Sequence, residues 1–347
     1  MPSVPFANVV QPAKDLFKRL TTITPTEAKT VVGLDIGSTS IKVIALGSRK
    51  GAGPRPIIAQ NLVPLDAGQE ADASGAIKSA MTTLQLPVRV VNISVSGQWV
   101  IMRIVEMPTM KPAEMRQALP FEAQRYLPFN VQDVVLDGTV LGPAENNKMW
   151  VLIVACKREL LERRISWVQQ AGYTVVCIDV DALALANAFV EQAGERPKGG
   201  IHALIDVGAQ RTSLVVLKNG IPYLVRDIPW GAVKLVRHMA EQLGVDEAAL
   251  GQQLTHDVPL PAELVEAMKR ISESLTVDLQ LSFDFFENRF GPSPEQLLIS
   301  GGLSQCAGFV DALKSHFAQP IAAWSPAAGL SGAYAVAYGL ALRAVPN

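Results

Sequence analysis

A run of small polar residues between two apolar stretches is where phosphate chemistry is first expected in this chain. Residues 35–40 read Asp-Ile-Gly-Ser-Thr-Ser, with β-branched runs on both sides. Such runs around a Gly/Ser/Thr turn predict a β-hairpin, with Asp35 at the end of its first strand. The glycine permits unusual turn conformations, and the turn would offer N–H groups and hydroxyls to an anion. The predicted phosphate ligands are Gly37, Ser38, Thr39, Ser40 and, in the second run, Lys42, for which a surface lysine is an equal alternative.

A second hairpin of the same kind is predicted far along the chain. Residues 201–217 read IHALIDVGAQRTSLVVL, and an Asp-Val-Gly sequence again closes an apolar run. Two such hairpins would place two carboxylates, Asp35 and Asp206, and two sets of turn amides on opposite sides of one ligand. The pattern therefore predicts a phosphate clamp with a place for a metal ion, and its alternative is two ordinary turns with buried Asp residues. The residues expected to close the second side of the phosphates are Gly208, Arg211 and Thr212.

A strand, a Gly-Gly turn and a helix follow one another near the C-terminus. Residues 296–317 read QLLISGGLSQCAGFVDALKSHF, an apolar strand followed by a turn, a loop and an amphipathic helix. Together with the two hairpins, this order resembles the adenosine-binding arrangement of the actin, Hsp70 and sugar-kinase superfamily. The resemblance implies an α/β, actin-like ATPase fold of two lobes with ATP and Mg²⁺ in the cleft. Asp35 and Asp206 would hold Mg²⁺ largely through water, and Gly301 and Gly302 would lie against the adenosine.

Composition and charge narrow the class of protein. With 49% apolar and 18% charged residues, the chain can bury a large core, and its 347 residues suit two to four subdomains. The net charge of −1 lacks the basic excess of proteins that bind nucleic acid. Cys156, Cys177 and Cys306 are scattered, which favours reduced thiols and a cytoplasmic protein. No secretory signal is predicted, and no apolar run approaches the roughly 20 residues that cross a bilayer.

The order of predicted strands and helices divides the chain into segments. Within the central segment, Pro112 is expected to begin a helix, Pro120 to kink it or end its first half, and Pro128 to stop it. The predicted segments are a tail at 1–30, a first-lobe core at 31–87, an inserted α+β subdomain at 88–173, a crossing strand and helix at 174–195, a second lobe at 196–332 and a C-terminal crossing helix at 333–347.

The central segment carries a more specific resemblance. The sequence PFEAQRYLPF, followed by VVLDGTVLG, resembles the PilM family of cytoplasmic actin-like proteins of type IV pilus assembly, from about Val31 to Arg343. Pro120 departs from the family pattern, which usually has a helix-compatible residue there. The resemblance implies an insert placed as in the division protein FtsA and, beside it, a groove for the N-terminal cytoplasmic tail of the inner-membrane protein PilN. The candidate partner residues are Glu122, Tyr126, Pro128 and Phe129.

Several alternatives stay open from the sequence. Glu122 and Tyr126 would equally well form a helix-face pair that packs the insert. Asp179 and Asp181 are candidates to orient a hydrolytic water, but no catalytic signature selects either, so simple ATP binding or slow hydrolysis is expected. An FtsA-like filament protein and a small-molecule kinase are the alternative functions, and self-association is left open. The leading hypothesis is a scaffold that contacts the inner membrane through its partner, with ATP as a structural ligand.

Overall fold

The computed structural model describes residues 30–49, 53–65, 72–193, 200–254, 259–306 and 308–343. Apart from Thr30, the expected N-terminal tail lies outside these residues. The chain divides into two compact units. The first comprises the described parts of Met1–Ile36, Ser40–Leu183 and Leu340–Asn347, and the second comprises those of Gly37–Thr39 and Ala184–Gly339.

The first unit is built on a five-stranded sheet in the order β3-β2-β1-β4-β8. β2 is antiparallel to both β1 and β3, whereas β4 runs parallel to both β1 and β8. β1 and most of β2 consist of β-branched and other apolar residues and are buried. This is consistent with the position of the first hairpin inside the sheet. The elements of this sheet and its helices are β1 (Thr30–Ile36), β2 (Ser40–Gly47), β3 (Ile57–Pro64), α1 (Ser74–Thr83), β4 (Val90–Val95), α3 (Arg158–Gln170) and β8 (Thr174–Val180).

A smaller antiparallel sheet is inserted between β4 and α3 of the first unit. Its three strands have the order β5-β7-β6, and one helix packs on it around a core that contains Met107, Met115 and Met149. The predicted insert, 88–173, was too wide, because β4 pairs with β1 and β8 in the large sheet and α3 leads back to β8. The elements of the insert are β5 (Val100–Pro108), α2 (Pro112–Ala123), β6 (Val134–Ala144) and β7 (Lys148–Lys157).

Helix α2 follows its predicted start but not its predicted end. Pro112 is its first residue, and the Lys111 N–H donates to the Glu114 carboxylate at 3.0 Å. The helix continues past Pro120 to Ala123, so the expectation that Pro128 stops it was wrong. Tight turns end the helix before Pro128. The Arg125 N–H donates to the Glu122 carbonyl, and the Tyr126 N–H donates to the Ala123 carbonyl, so both bonds span three residues.

The second unit repeats the sheet order of the first. Its five strands run in the order β11-β10-β9-β12-β13, with β9, β10 and β11 antiparallel and β12 parallel to β9 and β13. The elements are α4 (Asp181–Gln192, entered from the first unit), β9 (Ile201–Val207), β10 (Thr212–Lys218), β11 (Ile221–Ile228), α5 (Ala232–Leu243), α6 (Glu247–Leu254), the 29-residue α7 (Ala262–Phe290), β12 (Gln296–Ser300), α8 (Phe309–Lys314), β13 (Ile321–Ala323) and α9 (Ala335–Ala341).

The repeated sheet confirms the predicted actin-like fold. Each unit has three antiparallel strands in sequence, followed after helical connections by two strands parallel to the first. Helices α4 and α9 are rich in small residues, and a Cβ at Gly339 would collide with the Ala184 carbonyl, so only glycine permits this approach. All three cysteines are buried. Within the described ranges, no helix has the length and apolar character of a membrane span.

Candidate functional site

The first hairpin forms as predicted and pairs its acid with its lysine. Asp35 lies opposite Lys42 in the β1–β2 register, and the Lys42 Nζ is 3.1 Å from the Asp35 carboxylate. Burial raises the pKa of Asp35; the charge of Lys42 opposes this shift and that of Asp181 adds to it. Between the strands, Gly37–Thr39 form the turn, in which Thr39 is exposed. Lys42 thus neutralises Asp35, a contact that the sequence did not predict.

The second hairpin repeats the first at matching positions. Asp206 is the second-last residue of β9, as Asp35 is of β1, and Ser300 at the end of β12 donates its hydroxyl to the Asp206 carboxylate at 2.7 Å. The Gly208 N–H donates to the Arg211 carbonyl at 3.0 Å and closes the turn. The Thr212 hydroxyl is buried and donates to the Trp230 carbonyl at 2.8 Å. The Gly208 amide and the Thr212 side chain are therefore used within the unit, which differs from their expected phosphate contacts.

The two glycines after β12 have different surroundings. Gly301 has φ 85°, and a Cβ there would collide with the Val207 carbonyl, so glycine is required by the packing of this turn on β9. A Cβ at Gly302 would meet no atom within 4 Å. The Gly301 N–H donates to the Gly332 carbonyl at 3.2 Å. Of the two glycines predicted to contact adenosine, Gly302 therefore has open space beside its backbone, whereas Gly301 is needed for the packing of the turn.

Asp179, one of the two candidates for orienting water, is a structural residue here. It is fully buried at the end of β8, and the Arg343 Nε is 3.0 Å from its carboxylate. Burial raises the pKa of Asp179, and the Arg343 charge and the Val180 N–H, 2.8 Å away, oppose this shift. Its oxygens thus already accept from a buried cation and a backbone donor within the first unit. Asp181, at the start of α4, remains a candidate.

One residue of this site was missed by the sequence reasoning. Arg164 on α3 donates from Nη1 to the Ile36 carbonyl at 2.7 Å, directly before the first turn. Burial lowers the pKa of its guanidinium, and the carboxylates of Asp181 and Asp35 oppose this shift. Its Nε is buried without a hydrogen-bond partner among the described residues. In sequence, Arg164 follows Arg163 in an amphipathic helix, and nothing distinguishes it from a surface arginine.

The predicted partner residues fall into two groups. The Tyr126 hydroxyl donates to the Glu122 carboxylate at 3.4 Å, and the same carboxylate forms an ion pair with Arg125 at 3.1 Å. Pro128 is exposed in the loop that follows. The contact between Glu122 and Tyr126 agrees with the alternative of a helix-face pair, although the Tyr126 ring remains partly exposed.

Phe129 lies in an aromatic group that the sequence did not predict. Its ring centroid is 6.4 Å from that of Trp99, and the Lys157 Nζ lies 4.1 Å from the Trp99 centroid and 5.4 Å from that of Phe129. A cavity of about 480 Å³ adjoins the ring of Phe129. It is lined by Phe129, Gln132, Asp133, Lys157, Arg158, Glu159 and Glu162, so it offers an apolar wall and charges of both signs to a ligand.

The acidic residues suit a magnesium ion that keeps its water. In the part of the chain that the structure describes, no group of three or more His, Cys, Asp or Glu side chains could hold a metal ion alone. Mg²⁺ usually binds through one or two carboxylates, phosphate oxygens and several waters. Asp35 and Asp206 are the carboxylates in corresponding places of the two hairpins. Each unit by itself therefore offers one carboxylate of the kind that a hydrated Mg²⁺ accepts, Asp35 in the first and Asp206 in the second.

Comparison with known proteins identifies the family. The model of the family "Type IV pilus assembly protein PilM" matches residues 33–345. The chain is similar to the structure of a PilM-PilN type IV pilus biogenesis complex, with 25% identity and a TM-score of 0.79 over 91% of this chain and 99% of that one. Ethanolamine utilization protein EutJ from Carboxydothermus hydrogenoformans shares the fold, with 13% identity and a TM-score of 0.56 over 96% and 99% of the two chains. Since the family match covers almost the whole described fold, the chain belongs to the PilM family of type IV pilus assembly proteins.

Proposed function

We propose that this pilus assembly protein is a scaffold that binds Mg-ATP and the N-terminal cytoplasmic tail of a PilN-type inner-membrane protein. Nucleotide acts as a structural ligand that sets the affinity for the partner. The partner, in turn, holds the scaffold at the cytoplasmic face of the inner membrane.

The observation that carries the nucleotide proposal is the duplicated hairpin. In each unit, an Asp-x-Gly sequence ends the central strand of the sheet, and the next strand pairs antiparallel with it. Two unrelated turns would not be expected to repeat both the residue types and the place in the sheet. The repeat supports a shared ligand with anionic groups and a metal ion, because each copy offers a carboxylate beside turn amides.

Specific groups would hold the nucleotide. The amides and hydroxyls of Gly37, Ser38, Thr39 and Ser40 would donate to phosphate oxygens, and Lys42 would add positive charge next to Asp35. Asp35 and Asp206 would hold Mg²⁺ through its waters, Arg211 would approach the phosphates from the second turn, and Gly302 would lie against the adenosine. When bound, Mg-ATP supplies phosphate anions and a hydrated cation that these groups are suited to neutralise.

Hydrolysis of ATP is slow in this proposal. A hydrolytic site needs a group that orients water as well as phosphate and metal ligands. Of the two candidate acids, Asp179 forms an ion pair with Arg343, whereas Asp181 is only half-buried. Asp181 is thus the single remaining candidate for orienting water. We therefore propose that ATP is bound and not rapidly hydrolysed.

The cavity beside Phe129 is the proposed place for the partner tail. The similar PilM structure is a complex with PilN, and this cavity is lined both by α3 and by the insert that carries the family-specific sequence PFEAQRYLPF. The ring of Phe129, which contacts Trp99, offers apolar area, and Lys157, Glu159 and Glu162 offer charged anchors. A peptide with apolar and charged residues in alternation would use both features.

Calorimetric titration tests the proposal directly. The full-length protein is titrated with Mg-ATP, and then, with and without Mg-ATP, with a synthetic peptide of the PilN cytoplasmic tail from the same genome. We expect saturable 1:1 binding of both ligands, loss of nucleotide binding in Asp206→Ala and loss of peptide binding in Phe129→Ala. Phe121→Ala is the matched control, since Phe121 is 77% exposed on α2 and outside the cavity. Unchanged Mg-ATP affinity in Asp206→Ala, or unchanged peptide affinity in Phe129→Ala, would remove that site from the proposal.

A further inference from the structure

Helix α3 lies between the cavity and the first phosphate turn. At its N-terminal end, Glu159 and Glu162 line the cavity, and Arg158 donates to the Val134 carbonyl at the start of β6 at 3.2 Å. Arg164 is two residues beyond Glu162, which places it about 200° around a helix of 3.6 residues per turn. One side of α3 therefore faces the cavity, and another reaches the end of β1 through Arg164.

The contact of Arg164 is made to the backbone that shapes the turn. Its Nη1 donates to the carbonyl of Ile36, the last residue of β1, and Gly37 follows at once. A hydrogen bond from a charged group to this carbonyl holds the peptide plane that precedes the turn amides. A shift of α3 would therefore change the direction of the N–H groups that Gly37 and its neighbours present.

The charges around Arg164 make this contact specific for arginine. The carboxylates of Asp35 and Asp181 interact with the guanidinium, and the Lys42 Nζ is 3.1 Å from the Asp35 carboxylate. The planar guanidinium carries five donors in a fixed fork, so it can hold the Ile36 carbonyl and still offer a donor elsewhere. The Nε is such a donor, since it is buried and has no hydrogen-bond partner among the described residues.

From this geometry we infer that Arg164 is a positioning residue that holds the first phosphate turn from α3 and couples it to the cavity beside Phe129. The inference rests on the proposed function, because it names the residue through which the partner tail and the nucleotide affect each other. A ligand that moves the N-terminal end of α3 changes the position of Arg164, and so the turn. By linkage, nucleotide at the turn changes the affinity of the cavity by the same factor.

The test measures coupling rather than activity. Calorimetry gives the Kd of Mg-ATP for the full-length protein with and without a saturating PilN-tail peptide, and the same titrations are made with Arg164→Gln, Arg164→Lys and Arg163→Gln. Arg163 is the matched control, because it is exposed on the same helix and lies against the Trp167 ring. Thermal unfolding of each variant shows that it is folded. Hydrogen exchange of the amides of residues 37–40 reports directly on the turn.

We expect Arg164→Gln to weaken Mg-ATP binding about tenfold and to speed hydrogen exchange in the turn. The ratio of the Mg-ATP Kd values with and without the peptide should then be close to one. Arg164→Lys, which keeps the charge but not the planar fork of donors, should restore part of the coupling, and Arg163→Gln should match the unchanged protein. An Arg164→Gln protein with unchanged coupling and turn exchange would overturn the inference alone. Absence of Mg-ATP binding in the unchanged protein would instead overturn the proposed function together with it.

Discussion

The pair of Asp179 and Arg343 illustrates, at the scale of single residues, how burial decides the role of a charge. Asp179 is 0% and Arg343 2% exposed, and Asn92 next to them donates its amide to the Leu340 and Arg343 carbonyls at 2.9 and 3.2 Å. A buried carboxylate without a counter-charge is costly, whereas a paired one is tolerated. The pair and the amide together therefore tie the end of the described chain to the first sheet.

Removal of one partner of this pair should be strongly destabilising. We expect Arg343→Met to lower the free energy of unfolding by about 3–5 kcal/mol, because Asp179 would remain buried without a counter-charge. The double variant Asp179→Asn with Arg343→Met should recover part of that loss. Urea unfolding followed by circular dichroism measures both. If Arg343→Met were as stable as the unchanged protein, the ion pair would have no structural role.

Cys156 should make stability depend on alkaline pH. Burial raises the pKa of its thiol from 9.0 to about 12, so the folded protein holds this proton to higher pH than the unfolded chain does. The stability from this group is complete below about pH 9 and is lost as pH rises towards 12, by about 1.4 kcal/mol for each pH unit in that window. Urea midpoints at pH 8 and 10 should differ less in Cys156→Ala than in the unchanged protein. Equal pH slopes in the two proteins would contradict a buried thiol.

At the scale of elements, the contact between α2 and β6 depends on a missing side chain. A Cβ at Gly138 would come 2.7 Å from a methyl group of Leu119 and 3.3 Å from the Leu152 carbonyl. Leu119 is buried in the core of the insert, so it has little room to move. Glycine in β6 therefore lets the helix pack closely on the sheet, at some cost in strand propensity.

Substitution of Gly138 should separate this helix from its sheet. We expect Gly138→Ala to lower the free energy of unfolding by about 1–3 kcal/mol through overpacking. The control is Gly75→Ala on α1, where a Cβ would meet no atom within 4 Å. That change should stabilise by up to about 1 kcal/mol, because alanine favours the helix. Thermal unfolding of both variants makes the comparison, and a neutral Gly138→Ala would show that α2 is loosely packed.

At the scale of the whole molecule, the proposed ligand should be visible as added stability. A ligand that binds only the folded protein stabilises it by about 2.7 kcal/mol when its free concentration is 100 times its Kd. We therefore expect Mg-ATP to raise the midpoint of thermal unfolding of the full-length protein and to have no such effect on Asp206→Ala. The same scan with EDTA and ATP tests the metal, since Asp35 and Asp206 would then lack the cation between them and the phosphates. Equal midpoints with and without Mg-ATP in the unchanged protein would speak against a nucleotide site.

The family and much of the fold were predictable from the sequence. Both hairpins, the Gly-Gly turn and the start of α2 at Pro112 were predicted close to their observed positions, because each rests on a local pattern of apolar, turn and capping residues. The sequence PFEAQRYLPF also led to the PilM family, which the match over residues 33–345 confirms. The roles of the individual nucleotide and partner residues stay predictions.

What the amino-acid sequence determined by itself was thus the order of elements, the duplicated Asp-x-Gly turns and the family. Only the tertiary structure decided that β4 belongs to the large sheet, that Asp179 is paired with Arg343 and that Arg164 reaches Ile36. The reason is physical: turns and helix ends depend on neighbours along the chain, whereas the burial and pairing of a charge depend on residues that folding brings together from distant positions. A charged side chain in a local pattern therefore does not reveal whether it will bind a ligand, neutralise a neighbour or remain in water.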